Sequence, residues 1–429
     1  MKKGWNRIGT FLIAGSVFVS GCTKTNQETN DSQSVTKPTE AHAKPVTITI
    51  YNAQPGAFDF EKLGIIDAVQ KKFPHITLKQ ILKEKGMDYS DWIAAKTPVD
   101  IVYESTTYTV YSIKQFGLET DLQEQIKLQN FNTNVFEPNV LAHALSTNSE
   151  SKLYGLPFTM NRYGNYYNKT LFDKFGTAYP KDGMTWDDVY ELAKKMSRVD
   201  AGVNYYGFTA EPHNMLINNQ LSLGQLDPKE DKSAMNTNDW KLLFENIRRF
   251  WQIPNNARVP TNEAVKGTVA MLIDAGSISK APVTFDWNVA SVPELPQKPK
   301  TGFKPASLSL FLSSTSLQPE QAFKVMAYLV SEEFQRQLTR QAIGTPLVNP
   351  EVRASFGQDM PQWKNKNVQA LYYFPDAPSL PPRDEKLTNV SVHFGELFTT
   401  EGDSNTLLRN FDEKVNKAIQ DEKARTQKK

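Results

Sequence analysis

Cysteine is almost absent from this sequence, since Cys22 is the only one among 429 residues. A single thiol cannot form an internal disulfide, so the fold must depend on a hydrophobic core, which a chain of this length can build. The formal charge is only +2, and no long basic run is present. These features argue against a nucleic-acid partner and indicate a globular body of two domains or one large two-lobed unit.

The sequence also lacks the common short motifs of enzymes and metal sites. It has no P-loop, GxGxxG, HExxH or GxSxG motif and no paired cysteines for metal binding. No metal-ligand spacing is found among the five histidines, which are His42, His75, His143, His213 and His393. We therefore expect no catalytic residue, metal or cofactor. A glycosidase-type carboxylate pair is the alternative that spacing does not exclude, because its two members need not be close along the chain.

The first 21 residues have the composition of an export signal. Three basic residues precede a mostly apolar run at 8–19, which is too short to cross a bilayer, since a spanning helix needs ~20 residues. Residues 19–22, Val-Ser-Gly-Cys, resemble a bacterial lipobox, in which the thiol receives a diacylglycerol. Two acyl chains give stable anchoring. We predict a lipoprotein signal peptide at 1–21 and a lipidated Cys22, with an ordinary secretory signal and an incidental cysteine as the alternative.

The segment 22–44 is polar, and Val35 is its one sizeable apolar residue. Such a segment cannot bury enough surface to offset the entropy lost on ordering. We predict a flexible tether that reaches roughly 25 Å from the membrane. The folded body is then expected on the outer face of a bacterial cell membrane.

Hydrophobic periodicity predicts an α/β body beyond the tether. Alternating residues predict strands at 45–51 and 75–82, and a short apolar run predicts a central parallel strand at 99–103. Helices are predicted between them at 58–73 and 88–96. This order is typical of a doubly wound α/β lobe, in which ligands bind beyond the carboxyl ends of the strands.

Three later segments predict amphipathic helices. The first begins at Thr185, whose side chain and that of Asp188 are spaced to cap the first turn. The second covers 238–251 and has an aromatic stripe that we assign to the core. The third covers 319–338 and starts with a proline, as many helices do.

Residues 152–208 contain KLYGLPF, YYNKTLFDKFG, TWDDVYELAKK and YGF in that order. The series closely resembles family 1 extracellular solute-binding proteins, the capture components of ABC sugar importers, of which the maltodextrin-binding protein is the best-known member. Shorter matches to the same family occur at 98–122, 264–277, 286–296 and 318–338. The resemblance therefore covers about residues 45–350, and no substrate follows from it.

The resemblance implies a type II periplasmic-binding-protein fold, with two α/β lobes joined by crossover segments and a ligand cleft between them. It places the first lobe at 45–157 plus 306–345 and the second at 158–305 plus 346–429. The chain is expected to cross between the lobes near 158–162, 303–308 and 344–346. Hinge closure around a ligand is expected to follow from this architecture.

A saccharide site needs hydrogen-bonding side chains for hydroxyls and flat aromatic rings for C–H faces. The family resemblance places such residues at the cleft. The candidate contacts are Asn52, Gln54, Glu104, Ser105, Thr106, Tyr108, Asn161, Arg162, Tyr163, His213, Asn214, Asp274, Gly276, Ser277 and Trp287.

Several of these residues have a competing structural interpretation. Arg162 is expected either to bind the ligand, which would suit an acidic or modified saccharide, or to pin the crossover. Glu104 and Asp274 are expected either to contact ligand or to serve as helix caps and lysine partners. The proline-rich segment 372–383 either overhangs the cleft or covers one lobe.

These inferences predict a monomeric, lipid-anchored solute-binding protein that captures a carbohydrate and delivers it to an ABC importer permease. Such a protein needs affinity without turnover, so we expect no enzymatic activity. The alternatives are a surface-anchored carbohydrate-active enzyme, an adhesion lipoprotein, or a binding protein for a non-sugar solute.

Overall fold

The computed structural model describes residues 44–56, 58–108, 112–380, 387 and 390–427. The predicted signal peptide, Cys22 and nearly all of the predicted tether therefore lie outside the described residues. Within the described part of the chain, no helix is both long enough and apolar enough to cross a membrane.

One five-stranded sheet is built from both early and late parts of the chain. Its strands lie in the order β2-β1-β3-β11-β4. Strand β1 runs parallel to both β2 and β3, and β11 runs antiparallel to both β3 and β4. The bounds are β1 Val46–Asn52, β2 Ile76–Leu82, β3 Ile101–Ser105, β4 Gly155–Met160 and β11 Ser307–Leu312. The strand predicted to be central, now β3, does lie in the middle of the sheet.

Helices pack on this sheet and complete its core. They are α1 Ile65–Lys72, α2 Tyr89–Ala94, α3 Gln123–Leu128, α4 Pro138–Leu145, α10 Pro319–Leu329 and α11 Glu332–Arg340. A single hydrophobic cluster joins buried residues of β1, β3, α1, β11, α10 and α11. Residues far apart in sequence therefore share one core, which is the first lobe.

Two helix predictions for the first lobe were wrong at their boundaries. The helix predicted at 58–73 begins at Ile65, because Gly64 adopts a left-handed conformation (φ 69°) that no helix continues through. The single helix predicted at 319–338 is two helices, since the side chain of Ser331 caps a new first turn by accepting from the Phe334 amide at 3.3 Å.

A four-stranded sheet forms the centre of the second lobe. Its order is β10-β5-β9-β8, with β8 parallel to β9 and the other pairs antiparallel. Its strands are β5 Gly164–Asn168, β8 Thr209–Ala210, β9 Met271–Asp274 and β10 Trp287–Ala290, and a separate hairpin consists of β6 Arg198–Asp200 and β7 Val203–Tyr205.

The remaining helices are α5 Lys169–Lys174, α6 Trp186–Met196, α7 Pro212–Ile217, α8 Asn238–Arg248, α9 Ser277–Lys280, α12 Pro350–Ala354 and α13 Ser404–Gln427. The predicted capping of α6 is present, because Thr185 and Asp188 exchange side-chain and backbone hydrogen bonds. The apolar residues of α6, α8 and α13 share one buried cluster. The carboxyl-terminal helix α13, for which no family match was found, therefore packs in the second lobe.

The chain passes between the two sheets at three places. Residues 161–163 join β4 to β5, residues 291–306 join β10 to β11, and residues 341–349 follow α11. The first and third passages touch, since a terminal nitrogen of Arg162 donates to the Thr345 carbonyl at 3.2 Å. The lobe bounds given above remain predictions.

Gly344 has no room for a side chain. A β-carbon there would lie 2.4 Å from the Met160 carbonyl oxygen and 2.9 Å from Cγ of Arg162. We expect Gly344→Ala to lower the free energy of unfolding by about 1–3 kcal/mol, because the two crossovers must separate. Urea unfolding measures the change. Gly56→Ala is the control, since nothing lies within 4 Å of its added carbon, and equal stability of the two variants would contradict the expectation.

Candidate functional site

Glu104, near the carboxyl end of β3, organises the polar surface of the first lobe. Its Oε1 accepts hydrogen bonds from Gln54 Nε2 at 2.5 Å and from the Ser105 amide at 2.7 Å. Its Oε2 accepts from the hydroxyls of Tyr89 and Ser112, each at 3.2 Å. Glu104 is only 3% exposed. This carboxylate therefore holds four other groups in place, and Gln54 and Ser105 remain half-buried beside it.

Two candidates of the first lobe are internal. Asn52 is fully buried, and its amide donates to the Phe58 carbonyl at 2.7 Å while its oxygen accepts from the Gln54 amide. Thr106 is also buried, and its hydroxyl bonds the hydroxyls of Ser307 and Ser309 at 2.8 and 2.7 Å. The polar atoms of Asn52 and Thr106 are thus already satisfied inside the lobe in this structure, and the ligand contacts predicted for these two residues stay predictions.

The second lobe contributes a group around the end of β9. Asp274 pairs across the sheet with Gly164, and its Oδ2 accepts from the Ser277 amide at 2.5 Å at the start of α9. Burial and the Asp274 charge raise the pKa of the Tyr163 hydroxyl. Asp274, Ser277 and Tyr163 are all half-buried. These three side chains are accessible polar groups next to the first crossover.

Gly276, the residue between Asp274 and α9 that we predicted as a contact, is buried and has a positive φ of 102°. A side chain would be strained there and would meet Ser279 and the hydroxyl of Tyr166. Its function in this structure is to allow the turn that positions Asp274.

Arg162 is buried in a cluster of four charges. One terminal nitrogen lies 3.1 Å from both carboxylate oxygens of Asp376, and the other donates to Glu137 at 2.9 Å. Arg353 donates to the same oxygen of Glu137 at 2.7 Å. The two guanidinium groups also lie over the ring of Tyr372, at 4.8 and 5.2 Å. The cluster contains two positive and two negative groups and is therefore neutral.

The two carboxyl groups of this cluster respond differently to it. Burial raises the pKa of Asp376 above its ordinary value, although Arg162 opposes the shift. For Glu137, burial is outweighed by Arg162 and Arg353, which together hold its pKa below the ordinary value. Both carboxyls thus depend on the arginines for their charge. Arg162 ties the first crossover to Glu137 and Asp376 in this structure, and its predicted ligand contact stays a prediction.

The segment 372–380, which we call the strap, joins parts of both lobes beside this cluster. The Asn139 side chain on α4 donates to the Asp376 carbonyl at 2.6 Å. On the other side, the Ala377 amide donates to the Phe303 carbonyl at 3.0 Å, and the Ser222 hydroxyl donates to the Pro378 carbonyl at 2.7 Å. The strap therefore neither overhangs a cleft freely nor covers one lobe alone.

The remaining candidates are dispersed. Trp287 is 2% exposed and packs against Tyr166 and Trp363 at ring distances of 5.8 and 5.1 Å. It belongs to the core in this structure, and its role as a sugar platform stays a prediction. His213 is half-buried and stacks on His393 at 4.0 Å, which engages it within the second lobe. Asn214 is half-buried on the same helix, and Asn161 is exposed on the first crossover. Tyr108 ends a short 3₁₀ helix, and its side chain is not among the described parts.

Several residues of the site region were missed by sequence reasoning. Tyr89 and Ser112 bind Glu104, and Asp376 and Glu137 bind Arg162, but no local spacing links these partners. Lys304 was also missed, although it lies within the predicted second crossover. Among the described residues, no group of three or more His, Cys, Asp or Glu side chains is placed to hold a metal ion.

The model of the family "bacterial extracellular solute-binding protein" matches residues 64–336. The match spans more than half of the chain, which therefore belongs to this family of binding proteins. A protein of Brucella abortus (strain 2308) that is named as a binding protein is 23% identical over 340 residues, which cover 72% of this chain and 77% of the Brucella protein.

Solved structures are similar in fold. The ABC substrate-binding protein Lmo0181 from Listeria monocytogenes, in complex with cycloalternan, has a TM-score of 0.67 and 19% identity, over 88% of this chain and 99% of that chain. A sugar transporter from Rhizobium etli in an open conformation has a TM-score of 0.66 and 18% identity, over 87% and 99%. The predicted family and the predicted two-lobed α/β fold class are confirmed.

Removing the arginine from the charge cluster tests its structural role. We expect Arg162→Met to lower the free energy of unfolding by about 3–5 kcal/mol, because two buried carboxyls lose their main cation. The loss should grow from pH 5 to pH 8. Without Arg162, the folded-state pKa values of the Asp376 and Glu137 carboxyls should rise. A carboxyl with a raised folded-state pKa contributes stability only while it is protonated, so the variant should lose stability as the pH rises.

Urea unfolding at several pH values measures both effects. Arg336→Met is the matched control, because Arg336 pairs with Glu351 at the exposed surface, where an ion pair contributes about 0–1 kcal/mol. A loss that is independent of pH, or equal to that of the control, would contradict the role assigned to Arg162.

Proposed function

We propose that this protein captures a carbohydrate outside the cell membrane and delivers it to an ABC importer permease. The observation that carries the proposal is the membership in the solute-binding family together with the two-lobed fold. The similar Listeria protein was solved with cycloalternan, and the similar Rhizobium protein is described as a sugar transporter. These descriptions belong to those two proteins, and they support the proposal that this chain also binds a carbohydrate.

The chemistry of the region between the lobes fits this proposal. The first lobe presents Gln54 and Ser105, which Glu104 holds in place. The second lobe presents Asp274, Ser277 and the ring of Tyr163 near the first crossover. A sugar hydroxyl both donates and accepts hydrogen bonds, and a tyrosine ring adds an apolar face. Closure of the lobes would bring both groups onto one ligand, and reopening would release the cargo unchanged.

We further propose that the mature protein is a lipid-anchored monomer. The support is the sequence before residue 44, where Cys22 follows small residues and a short apolar run. A diacylglyceryl group supplies two chains, which anchor a protein stably where one chain does not. The flexible segment that follows would let the folded body reach a permease in the same membrane.

A screen of the purified full chain against mono- and oligosaccharides tests capture. We expect a cognate sugar at 100 times its Kd to stabilise the fold by about 2.7 kcal/mol, measured as a thermal shift. Chromatography should find the sugar intact, and small-angle scattering should find a more compact particle. Cleavage would favour the enzyme alternative, and tight binding without compaction would contradict lobe closure.

Asp274→Asn sharpens the test. The amide oxygen can still accept from the Ser277 amide, so the turn is retained while the charge is lost. We expect at least tenfold weaker sugar binding, since hydrogen bonds to a charged group are stronger than neutral ones. Asp359→Asn is the control, because Asp359 pairs with Arg340 at the surface.

Cys22→Ser tests the anchor. We expect this variant to leave the membrane fraction and to lose labelling by a radioactive fatty acid in the producing bacterium, because serine offers no thiol for the diacylglycerol. Gly21→Ala keeps a small residue before the cleavage point and should remain in the membrane. Equal membrane retention of the serine variant would point to the ordinary secretory alternative.

A further inference from the structure

Lys304 lies where the second crossover enters β11, between elements of both lobes. Its backbone amide donates to the Asn218 carbonyl at 2.9 Å, and its Nζ donates to the Leu223 carbonyl at 3.3 Å. On the first-lobe side, His143 in the last turn of α4 is close enough for the Lys304 charge to lower its pKa. The ammonium therefore lies in the region between α4 and the 218–223 segment.

No carboxylate of the described residues forms an ion pair with this ammonium. The acidic groups of the strap and of the α4 N-cap, Asp376 and Glu137, are already paired with Arg162 and Arg353. Burial alone lowers the pKa of Lys304, to about 8, so the side chain is still mostly charged at pH 7. Lys304 is thus a half-buried cation without a counter-charge in the described part of the chain.

His143 adds a second unused polar group to the same region. Burial, followed by the charge of Lys304, lowers the pKa of His143 to about 4, so the imidazole is neutral at physiological pH. Its Nε2 is buried and has no hydrogen-bond partner in the described structure. A buried polar atom without a partner costs free energy that a bound group can recover.

Tyr163 contacts the residue that precedes Lys304. Its ring packs edge-on against Phe303 at 5.6 Å, and Phe303 directly precedes Lys304 in the chain. An aromatic pair thus adjoins Lys304 along the chain, and aromatic rings are common in sites that receive a polyhydroxylated solute.

We propose that Lys304 is an anion-recognition residue between the lobes and that the carbohydrate captured here carries a carboxylate or phosphate group. The inference rests on the proposed function and specifies its substrate class. An ammonium has three N–H donors, and Lys304 uses one of them within the protein. A neutral hydroxyl would accept a hydrogen bond but would leave the charge uncompensated, whereas an anionic oxygen would do both.

The test compares saccharides that differ in charge. Calorimetry on the full chain uses trigalacturonate against galactotriose, and glucose 6-phosphate against glucose, which separates carboxylate from phosphate. We expect one acidic member to bind at least tenfold more tightly than its neutral counterpart. Lys304→Met should weaken that binding at least tenfold, Lys304→Arg should retain part of it, and the exposed-surface control Lys195→Met should change nothing.

A measurement on the unaltered protein covers the case in which the methionine variant does not fold. Binding of an anion raises the pKa of a neighbouring lysine, so the binding of trigalacturonate should be coupled to proton uptake at pH 8 and to much less uptake at pH 7. Asp376, whose pKa burial raises to about 6, is mostly ionised at both pH values. Calorimetry in buffers of different ionisation enthalpy measures this uptake. His143 does not interfere, because its pKa of about 4 keeps it neutral at both pH values.

The outcomes distinguish this inference from the proposed function. Tightest binding of a neutral sugar, with Lys304→Met within twofold of the parent protein, would overturn the inference and leave the proposed function intact. Binding of an acidic sugar without proton uptake and without loss in Lys304→Met would overturn the role of Lys304. The absence of binding by any saccharide, acidic or neutral, would count against both.

Discussion

The charge cluster of Arg162, Glu137, Asp376 and Arg353 connects the parts of the chain that pass between the lobes. Arg162 belongs to the first crossover, and its guanidinium also donates to the Thr345 carbonyl of the third at 3.2 Å. Asp376 belongs to the strap, whose Ala377 amide donates to the carbonyl of Phe303 in the second crossover. Because burial removes these charges from water, each needs its partners, and the geometry of the crossovers is tied to their pairing.

Much of the fold was predictable from the sequence because its signals are local. Alternation of apolar residues predicted β1, and the spacing of Thr185 and Asp188 predicted the start of α6. The errors have local causes that periodicity hides. Apolar residues before Gly64 continue a helical pattern, although they pack in turns, and Ser331 restarts a helix within one continuous amphipathic stretch.

The site was harder to predict because its contacts are not local. Asn52 and Glu104 lie at the ends of β1 and β3, and Thr106 follows β3, all at the expected edge of the sheet. Whether such a side chain faces solvent depends on partners elsewhere in the chain. The serines that satisfy Thr106 are about 200 positions away, and Asp376 is 214 positions from Arg162. Sequence chemistry identified the right edge of the sheet, whereas the distribution of exposed and satisfied groups required the fold.

The two cations between the lobes differ in what a ligand can add to them. Arg162 is already neutralised, so a ligand near it would have to compete with Asp376 and Glu137 and would gain little. Lys304 has no such competitor among the described residues, so an anionic group beside it would remove an existing electrostatic cost. A ligand drives closure only by binding the closed form more tightly than the open one. A group bound by Lys304 and α4 together would link elements of both lobes, which is how a ligand at this position would favour the closed form.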